Sequence, residues 1–254
     1  MMPSQSLLPR PGPVIYLRSA IYAIVFYLWM LVCALLMLPL MLAPRAWLWW
    51  AVRTWMAGIV LLLRWICRIR HRVVGQENLP DGPAIFAADH QAAWETFVLT
   101  SLRSNLTFVL KRELMHVPFF GWYARRTGMI PVDRAAGPRA LRSMAKAARS
   151  ALARGRSIAV FPGGTRRDVF SAARLQPGIA ALYHQLNVPV VPIALNSGLY
   201  WRNQSFLKFP GCITVEILPS IPPGKPQREM LGQLERSITD TSHKLVAQEL
   251  AKKR

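Results

Sequence analysis

A run of 26 uncharged positions extends from Ser19 to Pro44. As a helix this run would measure about 39 Å, enough to cross a hydrocarbon core of about 30 Å with some tilt. A secretory signal peptide has a shorter apolar core and a small-residue cleavage site, and residues 35–42, which include Pro39, do not resemble one. The run therefore predicts a transmembrane helix that anchors the chain in a membrane.

A second apolar stretch follows at residues 46–69, and arginines interrupt it. Arg53 and Arg64 lie eleven residues apart, about 1,100° of helical rotation, so they share one stripe of a helix. The second helix either crosses the membrane or lies in its surface, and the arginine stripe favours the surface. We assign residues 15–72 to the membrane anchor and expect residues 1–14 to be disordered. Tryptophans near the start of the stretch are typical of a membrane interface: Trp47, Trp49, Trp50 and Trp55.

The overall composition agrees with a membrane protein. Of the 254 residues, 52% are hydrophobic, yet the formal net charge is +20. A nucleic-acid-binding protein is usually basic but less apolar, whereas a membrane-surface protein is both, so we expect a lipid bilayer as partner and no nucleic acid. The three cysteines are far apart and show no C-x-x-C spacing, which predicts neither a disulfide nor a zinc site and fits a reducing compartment.

From Gly75 onward, short apolar runs alternate with helical patterns. The clearest helix covers residues 138–154, with a proline at its start and Gly155 just past its end. This alternation predicts an α/β domain at residues 73–254, with a mixed, largely parallel sheet flanked by helices. The six candidate strands are residues 84–88, 107–110, 129–132, 157–161, 190–195 and 212–218.

A histidine and a carboxylate follow the first of these strands. His90 comes two positions after the strand, and Glu95 lies five positions further on. Five residues correspond to about 500° on a helix, so the two side chains cannot share a helical face. His90 is therefore expected in the turn before a helix, with Glu95 reaching back to hold one ring nitrogen while the other takes a proton. Alone, such a pair is more often a structural contact than a catalytic one.

A Pro-Gly-Gly turn at residues 162–164 follows another strand and carries Thr165, Arg166 and a second arginine. Glycines let backbone N–H groups face an anion, and arginine can bind phosphate through two parallel hydrogen bonds. Lys111 and Arg134 follow two further strands and are placed to meet the same anion, because sites in such sheets collect at the carboxyl ends of strands. The pattern favours a phosphate site, although G-x-x-x-x-G-K-[ST] is absent and the turn is not a P-loop.

Four ordered blocks between residues 75 and 218 resemble those of the glycerolipid acyltransferase family, in particular its lysophosphatidate acyltransferases of bacterial membranes. The family's His-x4-Asp is matched by His90, with Glu95 at the acid position. Its Pro-Phe-x-Gly followed by Gly-x-x-x-x-Asp-Arg is similar to residues 118–121 and 128–134. Its Phe-Pro-Glu-Gly-Thr-Arg is similar to residues 161–166, and Val-Pro-x-Val-Pro-x-x-x-Asn-Ser-Gly to residues 188–198.

The resemblance implies a mechanism and its residues. His90 would act as general base on the free hydroxyl of a lysophospholipid, most closely 1-acyl-glycerol-3-phosphate, with Glu95 orienting the ring. The hydroxyl would attack an acyl thioester carried by coenzyme A (acyl-CoA) or acyl carrier protein (acyl-ACP), a co-substrate that needs no cofactor. The substrate-binding residues implied by the family are Lys111, Asp133, Arg134, Gly164, Thr165 and Arg166.

The resemblance also implies a location. An acyltransferase domain at residues 73–254 would work beside the inner (cytoplasmic) membrane, where its lipid product remains. The arginines between Arg64 and Arg72 place that domain on the cytoplasmic side by the positive-inside rule. No metal is expected, since the other histidines lack metal-ligand spacing: His71, His116, His184 and His243.

Two positions depart from the family pattern. Glu95 replaces Asp, and its extra methylene still lets the carboxylate reach the imidazole. Gly163 stands where the family has Glu, which removes a negative charge from a site rich in cations; Asp168 is a nearby candidate to replace it. The departure leaves two alternatives open: an acyltransferase on another lyso-lipid, such as a lyso-ornithine lipid, and a catalytically weakened membrane-binding relative. A serine hydrolase is disfavoured because G-x-S-x-G is absent.

Overall fold

Two long helices open the computed structural model, which describes residues 11–252. Helix α1 spans Pro13–Leu36 and helix α2 spans Arg45–Ile66, and both are long and apolar enough to cross a membrane. The uncharged run does not form one helix. Helix α1 begins before the run and ends at Leu36, and Pro39, which cannot continue a helix, begins a short 3₁₀ turn at Pro39–Met41. Of the segment predicted to be disordered, residues 1–10 lie outside the described residues.

The two helices pack against each other along one side only. Trp29 of α1 lies so close to Gly58 of α2 that a Cβ there would be 2.3 Å from its ring, and its indole N–H donates to the carbonyl of Trp55 at 3.2 Å. The opposite side of α1 is uncovered and apolar. Its exposed side chains include Leu17, Ile21, Ile24, Tyr27, Leu28, Leu31 and Leu35. Exposed apolar area of this kind marks a surface that meets a membrane or a partner.

Seven strands form a single sheet in the order β1-β7-β6-β2-β5-β3-β4. All neighbouring pairs are parallel except β6 and β7. The predicted α/β fold with a mixed, largely parallel sheet is therefore confirmed, and all six predicted strands are present to within one residue at each end. The strands are β1 (Ile69–Val74), β2 (Ile85–Ala88), β3 (Leu106–Lys111), β4 (Ile130–Val132), β5 (Ser157–Val160), β6 (Val190–Leu195) and β7 (Gly211–Ile217).

Strand β1 is the element that the sequence did not indicate. Its sequence, IRHRVV, contains three basic residues and no run of buried side chains, so it does not resemble a core strand. Strand β1 accommodates these basic residues because it is an edge strand, paired on one side only with β7, and most of its side chains are exposed.

Helices cover both faces of the sheet. On one face, Phe86 of β2 packs in a core with helices α2 and α3, and on the other, Ile85 packs with α5 and α6. The predicted helix at 138–154 is confirmed as α5, which spans Gly137–Leu152. The remaining helices are α3 (Trp94–Leu102), α4 (Phe120–Thr127), α6 (Gly178–Leu186) and α7 (Gln227–Ala251).

Helices α1 and α2 share a hydrophobic core with the sheet. Tyr22 of α1, Leu63 of α2 and Cys67 belong to the same buried cluster as Phe86. The loop between β6 and β7 completes this junction: the backbone N–H of Lys208 donates to the Ser19 hydroxyl at 2.9 Å. The Lys208 ammonium donates to a loop carbonyl at 2.7 Å and lies 4.4 Å from the ring centre of Trp201, and burial lowers its pKa to about 8.

Candidate active site

Five parallel strands end at one edge of the sheet, and the four sequence blocks follow these ends. β2 leads into His90, β3 ends at Lys111, β4 leads into Asp133, and β5 leads into the Pro-Gly-Gly turn. β6 leads into residues 196–198, the end of the fourth block. The expectation that the blocks meet at the carboxyl ends of strands is therefore met by the topology.

His90 lies in the turn between β2 and α3. The helix begins at Trp94, so Glu95 occupies its first turn and points back towards the turn. The His90 Nδ1 atom is 3.7 Å from Glu95 Oε2, an ion-pair distance that is too long for a hydrogen bond. Within residues 11–252 that nitrogen, although buried, has no hydrogen-bond partner. The carboxylate thus faces Nδ1 and leaves Nε2 as the nitrogen available to a substrate.

The Glu95 carboxylate is buried and held from three sides. Oε1 accepts hydrogen bonds from the backbone N–H groups of Gln91 at 3.0 Å and Ala92 at 2.8 Å. The Ser197 hydroxyl, which follows β6, donates to the same oxygen. These bonds fix the position of the negative charge behind the histidine before any substrate arrives. Sequence reasoning missed this role of Ser197, because Ser197 and Glu95 lie more than a hundred residues apart.

The imidazole of His90 stacks on the ring of Phe161. The ring centres are 4.1 Å apart and the planes are inclined by 21°. The backbone N–H of Arg167 donates to the His90 carbonyl at 2.8 Å. This bond connects the segment after the Pro-Gly-Gly turn to the histidine turn. The imidazole is therefore held between Phe161 and Glu95, and only 16% of its side chain is exposed.

A cavity of about 430 Å³ opens beside the histidine. One wall is formed by the histidine turn, a second by residues 162–167 and a third by residues 171–176. The lining side chains that carry polar or charged groups are Asp89, His90, Thr165, Arg167, Ser171, Arg174 and Gln176. Its volume is in the range of sites for small molecules.

Asp89 and Arg167 form a buried ion pair that the sequence did not reveal. The Arg167 guanidinium donates to Oδ1 at 2.7 Å and to Oδ2 at 2.5 Å. Oδ2 also accepts from the Gln91 amide and from the Ser242 hydroxyl of α7, each at 2.8 Å. Asp89 thereby links the histidine turn, the turn after β5 and α7, and its charge neutralises one of the arginines that the sequence offered for phosphate.

The Pro-Gly-Gly turn requires glycine at only one of its two positions. Gly164 has a φ of +77°, in the left-handed region that favours glycine. Gly163 has no such φ, and a Cβ there would be 3.6 Å from the Arg174 carbonyl, an ordinary contact. The absence of a carboxylate at 163 is therefore not imposed by the backbone.

The remaining predicted substrate residues lie at different distances from the cavity. Arg134 is 3.9 Å from the Cβ position of Gly164, so it stands at the rim. Arg166 is exposed and does not line the cavity.

Two predicted residues are engaged in ion pairs with neighbouring side chains. Lys111 pairs with Glu113 at 3.2 Å. Asp133 pairs with Arg112 at 3.1 Å and accepts a hydrogen bond from the Ala135 N–H. Arg174, which sequence reasoning missed, lines the cavity directly, but only the fold brings it there.

Together these residues define a class of protein: an α/β enzyme with a histidine–carboxylate pair beside a cavity rimmed by cations. A family model described as Acyltransferase matches residues 70–196. Over 209 residues, the chain is 37% identical to the 1-acyl-sn-glycerol-3-phosphate acyltransferase of Pseudomonas aeruginosa, covering 80% of this chain and 81% of that protein. The chain therefore belongs to the acyltransferase family, which confirms the sequence resemblance and the prediction of an O-acyltransferase.

Two further comparisons agree with this assignment. A 1-acyl-sn-glycerol-3-phosphate acyltransferase of Saccharomyces cerevisiae is 28% identical over 173 residues, which cover 66% of this chain and 57% of that protein. The crystal structure of the 1-acyl-sn-glycerophosphate (LPA) acyltransferase PlsC from Thermotoga maritima superposes with a TM-score of 0.76 at 20% identity. The superposition covers 92% of this chain and 98% of the Thermotoga maritima chain, so the two proteins share a fold over nearly their whole length.

Proposed function

We propose that this acyltransferase converts a lysophospholipid into a diacyl phospholipid, with 1-acyl-glycerol-3-phosphate as acceptor and phosphatidate as product. The observation that carries the proposal is the position of His90: its Nδ1 side faces a buried carboxylate, and the ring borders a cavity with cations at its wall and rim. The names of the relatives from Pseudomonas aeruginosa and Saccharomyces cerevisiae support the choice of acceptor.

In the proposed mechanism, Nε2 of His90 takes the proton from the free hydroxyl of the acceptor. The hydroxyl oxygen then attacks the thioester carbonyl, a C–O bond forms, and the C–S bond breaks when the tetrahedral intermediate collapses. The proton held by His90 passes to the departing thiolate, which leaves as a thiol. Glu95 stabilises the imidazolium that exists between the two transfers, and a base of this kind contributes about 10²–10⁴-fold in rate.

The acceptor's phosphate is proposed to bind at the cationic rim of the cavity. Arg134 and Arg174 are nearest, Thr165 offers its hydroxyl, and Arg166 and Lys111 extend the positive surface outside. The Gly164 N–H donates to the Phe161 carbonyl at 2.9 Å, so Gly164 contributes through the shape of the turn. Arg167 is not included because Asp89 occupies its guanidinium. Asp133 serves this surface indirectly, through its ion pair with Arg112.

The acyl donor in this proposal is a thioester of coenzyme A or of acyl carrier protein. Both are acidic, and a net charge of +20 suits either. The uncovered apolar side of α1 supports attachment to the cytoplasmic membrane, where the acceptor and the product reside, with the cavity on the cytoplasmic side.

Acyl transfer by the purified protein tests the proposal. The full chain, in detergent or in vesicles, is given a labelled acyl-CoA or acyl-ACP together with a panel of lysophospholipids and a lyso-ornithine lipid. We expect labelled phosphatidate from 1-acyl-glycerol-3-phosphate and none from a His90→Ala variant that keeps wild-type thermal unfolding.

Three results would contradict parts of the proposal. Wild-type activity in His90→Ala would exclude the base, and preference for lyso-ornithine lipid would exclude the acceptor. No incorporation with any acceptor and either donor would instead support the catalytically weakened relative.

A further inference from the structure

A second cavity, larger than the first, lies between the anchor and the catalytic domain. It has a volume of about 630 Å³ and is bounded by α2, α3 and β1; we call it the α2–α3 groove. It shares no lining residue with the cavity beside His90. Its lining residues from α2 recur every three or four positions and occupy one stripe of that helix: Trp50, Arg53, Thr54, Ala57, Val60, Leu61 and Arg64.

The charge of the α2–α3 groove is entirely positive. Arg53 and Arg64 from α2 and Arg70 from β1 line it, and no carboxylate does. In the part of the chain that the structure describes, none of these guanidinium groups has a hydrogen-bond or ion-pair partner. Arg167, by contrast, is fully occupied by Asp89. All three arginines are exposed, and Arg53 lies eleven residues from Arg64 along α2, about 16 Å away. The two guanidinium groups at the β1 end, Arg64 and Arg70, therefore favour an anion as ligand there.

Most of the remaining groove lining is apolar. Its three hydroxyl groups donate to carbonyls of their own helices: those of Thr54, Thr100 and Ser101. Ala57, Val60 and Leu61 form the α2 side, and Phe97 and Val98 form the α3 side. His71 lies at the β1 end, where partial desolvation by packed neighbours and the nearby Arg64 lower its pKa, so its ring adds hydrogen-bonding capacity but no charge near neutral pH. A free inorganic anion would leave these walls unused. A ligand that matches the whole groove carries an anion at one end and a hydrocarbon chain at the other.

We propose that the α2–α3 groove binds one anionic glycerophospholipid of the bilayer. Its phosphate lies at the end formed by Arg64 and Arg70, and an acyl chain runs along Ala57 and Leu61 towards Trp50. The bound lipid fills the space between the anchor and α3, the helix that also carries Glu95. An acidic protein, such as a carrier protein, fits less well, because the arginines alternate with apolar side chains on a helix that itself qualifies as membrane-spanning.

The test measures lipid binding directly and does not depend on turnover. The full chain is purified in a neutral detergent and titrated with phosphatidylglycerol or phosphatidylcholine, and bound lipid is counted by native mass spectrometry. We expect one tightly held phosphatidylglycerol and no comparable phosphatidylcholine. Because each basic residue near a membrane surface contributes a factor of about five, Arg64→Ala with Arg70→Ala should weaken binding about tenfold or more.

Two further variants separate a site from general attraction to an anionic surface. Ala57→Trp fills the groove without changing any charge, and it should weaken phosphatidylglycerol binding as much as loss of the arginines. Arg139→Ala with Arg142→Ala removes two exposed charges from α5, on the other face of the sheet, and should leave binding unchanged.

The opposite results would overturn the proposal. Unchanged binding in Ala57→Trp, or an equal loss in the α5 variant, would mean adsorption of anionic lipid by net charge alone. If the groove arginines prove necessary for binding an acyl carrier protein but not for phosphatidylglycerol, the groove is a protein-docking surface. Thermal unfolding is measured for each variant, so that loss of lipid binding is distinguished from loss of the fold.

Discussion

Arg167 binds both carboxylate oxygens of Asp89, at 2.7 and 2.5 Å, in the wall of the cavity beside His90. Both side chains are nearly inaccessible, with exposures of 12% and 2%. Asp89 precedes the histidine and Arg167 follows the Pro-Gly-Gly-Thr-Arg turn, so the pair connects the two segments that the proposed mechanism requires to stay aligned.

Asp89→Asn should destabilise the protein because it leaves a buried guanidinium without a counter-charge, a change that typically costs about 3 kcal/mol. The unfolding temperature in detergent and the rate of acyl transfer should both fall. Adding Arg167→Gln removes the stranded charge, so the double variant should recover part of the stability. Arg142→Gln, at an exposed site on α5, is the control for loss of one positive charge. A double variant less stable than Asp89→Asn would show that the pair is not coupled.

Phe161→Leu should lower kcat more than it raises the KM for the acceptor. The ring of Phe161 stacks on His90, and an aromatic pair contributes about 1 kcal/mol beyond burial, so a fall in kcat of about fivefold to tenfold is expected. Steady-state kinetics with the preferred lysophospholipid provide the measurement. The conservative Phe161→Tyr should retain most of the activity. If Phe161→Leu changes only KM, the ring acts on the substrate and not on His90.

Gly163→Glu should fold normally but bind a phosphate-bearing acceptor less tightly. The backbone at 163 accepts a side chain, while Asp89 already neutralises Arg167, so a second carboxylate repels the acceptor's phosphate. The KM for the acceptor should rise severalfold. In an Asp89→Asn background, the same substitution should instead raise activity, because it restores the lost charge. A large rate increase in the wild-type background would mean that the native site is impaired by the missing carboxylate.

Lys208→Met should stabilise the protein at pH 7 by more than at pH 10. Burial lowers the pKa of Lys208 to about 8 from an ordinary 10.5, so between these values the folded state holds fewer protons than the unfolded state. Wild-type stability therefore gains up to about 3 kcal/mol from this residue as pH rises through that window, and below pH 8 the full penalty of the buried charge remains. The measurement is thermal unfolding of both proteins between pH 7 and pH 10.

Cys67 titrates near the same window with the opposite sign. Burial raises its pKa to about 11, and the nearby Lys208 lowers that pKa, so the titration of Cys67 changes when Lys208 is replaced. Both proteins are therefore also compared in a Cys67→Ala background, where this coupling is absent. An equal advantage of Lys208→Met at both pH values would show that the ammonium is not the cause.

The sequence predicted most of the fold because the relevant signals are local. Apolar runs such as residues 190–195, bounded by turn residues, identify a buried strand whatever lies around them. The position of His90 in a turn, with Glu95 reaching back from the next helix, followed from helical geometry alone and is confirmed.

The parts that could not be predicted depend on residues distant in the chain. The local sequence does not predict that the Ser197 hydroxyl binds Glu95 or that the Ser242 hydroxyl binds Asp89. These pairs form because of the order of strands and helices in the whole domain. Strand β1 was missed for a related reason: its basic side chains are compatible with a strand only at the edge of the sheet. The roles of Lys111, Asp133, Arg134, Gly164, Thr165 and Arg166 in binding substrate stay predictions.

The junction that joins Ser19, Tyr22 and Cys67 to the sheet has a practical consequence. Deleting residues 1–68, a usual way to make a membrane enzyme soluble, would remove Tyr22, Leu63 and Cys67 from the interior of the remaining domain. It would also uncover Trp201, which contacts Tyr22, and the loop at Lys208, which is bonded to Ser19. The truncated chain would aggregate more readily than the full one. A soluble form is better sought by substituting polar residues on the outer side of α1, from Leu17 to Leu35, while Tyr22 is kept.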